Sequence, residues 1–151
     1  MEKSIASFTE SLDQTFRLSD KDWKMYSPLT LAYIGDAAYE LIIRTVFVKQ
    51  GNTQPQKLHR RVISCVSAKT QAKMIEALLP VLTEEEAGIY RRGRNSKPYT
   101  KAKNATMTEY LEATGFEAVM GYLYLKRDFE RMNELVKTGL ELVQVRPSSG
   151  M

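Results

Sequence analysis

Apolar residues recur every three or four positions through most of this chain, and no stretch keeps the alternation that a half-buried strand requires. From Pro28 to Gln50 they are dense enough to predict a central, buried helix, with Ser27 as cap, Pro28 in the first turn and Gly51 as stop. Pro55 opens a second helix to about Ser64, and Ser67 caps a third, Ala68 to Leu79, closed by Pro80. Thr83 with Glu86 three residues on is a capping box that starts a fourth helix through Arg92. Residues 93–105 mix Gly, Pro, Asn and Ser with cations and predict a loop. Thr106 or Thr108 caps a fifth helix to Lys126, and Asp128 a sixth to about Val143. Upstream, Ile5, Phe8, Leu12 and Phe16 suit either a marginal amphipathic helix over residues 4–17 or a loose extension. The β-branched run Ile42 to Val48 sits inside a longer helical pattern. The fold class is therefore all-α, with five or six helices in one domain. Residues 1–25 form an extension, helical or loose, residues 26–144 the domain, and residues 145–151 a disordered tail.

Composition narrows the class. At 151 residues, 43% apolar and 26% charged, the chain suits one globular domain and excludes wholesale disorder or a fibrous protein. No apolar run approaches the ~18 residues of a membrane span. Residues 1–20 lack the basic and then apolar pattern of a secretory leader, so a cytoplasmic protein is expected. Cys65 and His59 are each the sole residue of their type, which leaves no internal disulfide and no histidine-rich zinc site.

The net charge is only +4, but it is unevenly spread. Between Lys57 and Lys103, eleven Lys and Arg stand against four acids, a net +7, while the remainder carries eleven cations against fourteen acids, −3. Such a middle segment points to a polyanion. Arg60, Arg61, Lys69 and Lys73 lie on the second and third helices, where a merely solvated face is an equal alternative. Arg92, Arg94, Asn95, Lys97, Lys101 and Lys103 fall in or beside the expected loop, which suits phosphate contacts.

Two carboxylates sit in apolar helical surroundings. Asp36 is far from either end of its helix, where aspartate is a poor residue and an unpaired buried charge costs several kcal/mol. Glu40 follows at i+4 on the same face, while Leu31, Ile34, Ala38, Leu41 and Thr45 form the opposite stripe, expected to be core. Glu117 is the sole charge from Ala113 to Leu125. Gly35 on one helix, and Gly115, Ala118 and Gly121 on the other, would let the helices pack closely enough to present Asp36 and Glu117 to each other. Two explanations stand. The acids form salt bridges with Arg44, Arg60 or Arg61 or reach solvent at a helix end, or they hold a hard divalent cation such as Mg²⁺ beside a phosphodiester.

The segments Leu31-Ala-Tyr-Ile-Gly-Asp-Ala37, Val66-Ser-Ala-Lys-Thr-Gln71, Arg92-Gly-Arg-Asn95 and Phe116-Glu-Ala-Val-Met-Gly-Tyr122, in this order, resemble the ribonuclease III family, and within it the Mini-ribonuclease III group. The likeness covers roughly residues 27 to 143. It implies a ribonuclease III-type endonuclease domain of five to seven helices. It also implies cleavage of double-stranded RNA with Mg²⁺ (Mn²⁺ substituting), leaving 5′-phosphate ends. The implied partners are a second copy in a homodimer and precursor 23S ribosomal RNA, with a large-subunit ribosomal protein on that substrate. The resemblance carries over Asp36 and Glu117 as catalytic metal ligands, with Glu40 and Thr114 as further candidates. Where longer members of the family have additional acids, this chain has Leu29, Ala32 and Thr114, so fewer charges are available to hold two metals. Those losses also fit a non-catalytic RNA-binding protein of the same fold. His59, with no second histidine, is expected to be structural or a minor phosphate contact.

Overall fold

The computed structural model describes residues 8–96 and 106–143. They form α1 (Phe8–Phe16), α2 (Pro28–Gln50), α3 (Pro55–Val66), α4 (Ala68–Leu78), α5 (Glu84–Arg94), α6 (Met107–Lys126) and α7 (Phe129–Leu142), with short 3-10 turns at Trp23–Met25 and Leu79–Val81 and no strand among the described residues. The helix starts follow local chemistry. Ser27 Oγ accepts the Thr30 amide at 3.1 Å, Ser67 Oγ the Thr70 amide at 3.2 Å and Asp128 the Arg131 amide at 3.2 Å. Thr83–Glu86 and Thr106–Glu109 close reciprocal capping boxes at 2.9–3.1 Å, so of the two threonines offered for α6 it is Thr106 that caps.

Helix α6 is the axis of the domain. It packs on α2, α5 and α4, and from Ala113 to Leu123 every residue except Glu117 is buried. The α2–α6 crossing is built on glycine. A Cβ on Gly35 would stand 1.8 Å from the Glu117 carbonyl oxygen, and one on Gly121 would stand 1.9 Å from that of Leu31. The two backbones therefore touch directly. Helix α5 approaches the opposite flank in the same manner, since a Cβ on Gly93 would meet Ala118 Cβ and Gly115 Cα at 3.0 Å.

An ion pair ties α5 to α7. Glu86, 4% exposed, receives Arg131 Nε and Nη2 at 2.9 Å on its two oxygens, and Nη2 also reaches the Val81 carbonyl. Burial alone would raise the Glu86 carboxyl, but the Arg131 guanidinium and the Thr83 amide outweigh it and hold it below its ordinary value. Arg127, left-handed at the α6–α7 corner (φ 65°), pairs with Asp13 of α1 and with Asp20, docking the N-terminal extension.

Two expectations need correction. Helix α5 runs through Arg94, two residues past its expected end, so Arg94 joins Arg91 and Arg92 in the last turn and does not belong to the loop. Gly93, expected as the first residue of that loop, is instead a packing residue that lets α5 lie against α6. The buried side of α2 is Leu31, Ala32, Gly35, Ala38, Tyr39, Ile43 and Phe47, whereas Leu41 and Thr45 face solvent. The stripe is rotated because α6 seats on Gly35 and Tyr39 turns inward, its ring edge-on to Phe116 at 5.1 Å. The expected tail and the centre of the expected loop, residues 97–105, lie outside the described residues.

Candidate active site

Asp36 and Glu117 meet beside the Gly35–Gly121 crossing. Asp36 is exposed on α2 and Glu117 partly buried on α6, next to Gly35 and in line with it. No ion pair among the described residues involves either acid. Burial first, and then the facing Asp36 carboxylate, push the Glu117 carboxyl up to about 8, while a hydrogen bond from Gln71 pulls the other way. Two carboxyl groups are thus held together with no ion-pair partner among the described residues. That donor set fits a hard divalent ion, which takes one or two protein carboxylates and completes its shell with water and phosphate oxygens. No group of three or more His, Cys, Asp or Glu suited to a metal occurs among the described residues.

Glu40, one turn beyond Asp36, is engaged elsewhere, with Arg44 Nε donating to it at 2.8 Å. Of the basic partners proposed for the acids, Arg44 therefore pairs with Glu40. Thr114, one turn before Glu117, is buried and donates its hydroxyl to the Tyr110 carbonyl at 3.0 Å, leaving only its lone pairs free to accept.

The basic candidates spread over three helices. Arg60 and Arg61 lie on α3, Lys69 and Lys73 on α4, and Arg92 and Arg94 on the last turn of α5, which Asn95 caps. All are exposed except the partly buried Arg61. Arg92 lies 5.7 Å over the Trp23 ring, and that ring stands edge-on to Tyr122, so the N-terminal extension orders this cation. Lys97, Lys101 and Lys103 lie outside the described residues. His59 is exposed on α3, beside a shallow groove lined with Arg44, Val48, Pro55, Leu58 and Val62.

Sequence reasoning passed over Gln71. The signal was present in the segment Val66 to Gln71, which the structure explains physically. The last carbonyls of α3 lack helical partners. Ser64 O accepts the Thr70 hydroxyl at 2.7 Å, Cys65 O the Tyr39 hydroxyl at 2.6 Å and Val66 O the Gln71 amide at 2.8 Å. The α3–α4 corner is clamped in this way, and Gln71 is carried to Glu117.

Paired acids where two helices touch are compatible with a metal-dependent hydrolase, and comparison with known proteins supplies the class. The family model described as ribonuclease III domain matches residues 29–128. A Mini-ribonuclease 3 of Enterococcus faecalis is 51% identical over 118 residues, covering 77% of this chain and 89% of that one. A Mini-ribonuclease 3 of a Thermoanaerobacter species is 42% identical over 144 residues, 95% of this chain and 99% of that one. The crystal structure of protein FN1578 from Fusobacterium nucleatum superposes with a TM-score of 0.73 at 34% identity, over 81% of this chain and 98% of that one. The chain belongs to the ribonuclease III family. It is an endoribonuclease that acts on double-stranded RNA, and enzymes of this family depend on a divalent metal. Among the described residues no helix is long and apolar enough to cross a membrane.

Proposed function

We propose that the protein cuts double-stranded RNA at a Mg²⁺ site formed by Asp36 and Glu117, with Mn²⁺ able to substitute, and that it works as a cytoplasmic homodimer. The observation that carries this reading is the facing of these two acids, with Glu117 raised to about 8 and no cation paired to either among the described residues. When bound, the divalent ion supplies the positive charge that activates water and stabilises the oxygens of the phosphodiester. The chain's own residues do the rest. Asp36 offers its carboxylate from the solvent side, Glu117 offers a fixed one from within, and the cations of α3, α4 and α5 hold phosphates, reading duplex shape rather than sequence.

The homodimer is supported by α2, where the exposed Tyr33 (82%), Leu41 and Val48 share one side with the Glu40–Arg44 pair and offer apolar area to a second copy. Precursor 23S ribosomal RNA, carrying a large-subunit ribosomal protein, is the substrate to which the family resemblance points. The test is incubation of a generic RNA duplex with the protein in Mg²⁺ and in EDTA, with Asp36→Asn as control. Wild type should cleave only with Mg²⁺, leave 5′-phosphates and sediment as a dimer, and Asp36→Asn should be inert. Duplex retention without cleavage in Mg²⁺ would replace this reading with a non-catalytic RNA-binding role.

A further inference from the structure

Gln71 is 1% exposed, between α4 and α6. Its Nε2 donates to the Val66 carbonyl at 2.8 Å, and the side chain stands against the Glu117 carboxyl, whose proton affinity it lowers. The Val66 carbonyl can only accept, so the amide must present its nitrogen there, since the flipped rotamer would set oxygen against oxygen. The oxygen is left over, and Gln71 Oε1 is buried without a hydrogen-bond partner. An unpaired buried acceptor is costly, and it offsets what the amide contributes by satisfying the Val66 carbonyl, whereas methionine would fill nearly the same volume with no acceptor to bury. The corner bond alone is thus a weak reason for a glutamine here.

We propose that Gln71 is a positioning residue for Glu117, its carboxamide, pinned by Val66, holding the carboxylate in the orientation that faces Asp36. An amide nitrogen has two hydrogens in fixed divergence, so anchoring one on the main chain fixes the direction of the other. The Val66 carbonyl is itself set by the α3–α4 corner, which Thr70 and Tyr39 clamp from two further directions. The Glu117 carboxylate is thus oriented from a helix other than its own. Partners of metal ligands that are placed in this manner raise metal affinity or activity by about ten-fold to a hundred-fold. The proposal rests on the reading of Asp36 and Glu117 as a metal site.

The test uses Gln71→Met and Gln71→Asn in the full chain. Gln71→Met removes the amide at constant volume, and Gln71→Asn keeps the amide but withdraws it by one methylene. Mg²⁺ titrated calorimetrically into the RNA-free protein should bind either variant roughly ten-fold or more weakly than wild type. Turnover at saturating duplex should fall in parallel. KM for the duplex and duplex affinity in EDTA should stay close to wild type, and the metal-free melting temperature should fall only by what the lost Val66 bond contributes, far less than the loss of Mg²⁺ affinity and turnover. Unchanged Mg²⁺ affinity and turnover in a folded variant would overturn the proposal. So would a loss of melting temperature and of duplex affinity in EDTA as large as the loss of activity, which marks a structural residue. Should Gln71→Met fail to fold, Gln71→Asn decides alone, and wild-type Mg²⁺ affinity there overturns the proposal. A wild-type protein that binds no Mg²⁺ and cuts no duplex would instead remove the metal-site reading, a result these variants do not imitate.

Discussion

Replacing Glu117 by glutamine separates what this acid costs the fold from what it does for the reaction. In the metal-free protein its carboxyl is carried from an ordinary 4.5 to about 8. Between these values the folded chain keeps a proton that the unfolded chain has released, so this group makes stability fall as pH rises through that window and then level off. At full weight the shift corresponds to roughly 5 kcal/mol. Glu117 is only partly buried and water relaxes around it, so about 2 kcal/mol is the better expectation. Glu117→Gln removes the penalty. At about 2–4 °C per kcal/mol for a chain of this size, the variant should melt roughly 4–8 °C above wild type near pH 8, and about level with it near pH 5. The assay is thermal unfolding in EDTA across this range, read as the difference between the two proteins so that other titrating groups cancel. Mg²⁺ at pH 8 should then raise the wild-type melting temperature and leave that of the variant nearly unmoved, and the variant should not cleave duplex RNA. A variant less stable than wild type at pH 8, or a difference independent of pH, would mean that Glu117 faces a cation, and the reasoning fails.

Arg131→Met strands the buried Glu86 carboxylate and should cost about 3–5 kcal/mol in urea unfolding at neutral pH. Because Glu86 is held below its ordinary 4.5, the pair's contribution is present above that value and lost as pH falls beneath it, so the gap to wild type should narrow in acid, and a gap that widens would contradict the assignment. Gly121→Ala drives a methyl against the Leu31 carbonyl, so it should cost more than the roughly 1–3 kcal/mol of ordinary overpacking and lose activity even at temperatures where circular dichroism shows it folded, whereas wild-type turnover would show that the crossing tolerates parting. Replacing Arg92, Arg94 and Lys97 together with alanine should weaken duplex binding evenly across sequences and make log K against log salt shallower by up to about 0.9 per lost phosphate contact, and an unchanged slope would place the RNA elsewhere.

Helix boundaries were legible wherever a cap stated them locally. Ser27 with Pro28, the Thr83–Glu86 box and Asp128 need nothing beyond their own turn to act. The facing of Asp36 and Glu117 was legible too, because an acid in an apolar helix and a glycine one residue or one turn away are both visible in one dimension. The facing side of α2 was not, since its rotation depends on where α6 seats, a contact more than eighty residues away in sequence. Gly93 was misread because the same residue serves flexible turns and close helix contacts, and only the partner, here Gly115 and Ala118, distinguishes them. The Glu40–Arg44 pair stands at the readable spacing of i and i+4. Gln71 could not be found by charge or period, because a buried neutral amide perturbs neither.

The contact of bare backbones at Gly35 and Gly121 changes what sets the distance across the site. In most helix pairs a layer of side chains lies between the axes, and the spacing drifts as those residues are exchanged or change rotamer. Here the spacer is main chain, whose dimensions are the same in every protein, so the gap spanned by Asp36 and Glu117 is a property of peptide geometry. The surrounding core can be rewritten widely without retuning the reaction centre, whereas a single added carbon at either glycine moves both ligands at once. Sequence divergence in such a domain should therefore be more permissive in volume elsewhere and abruptly intolerant at the glycines where helix backbones meet, which carry no chemistry.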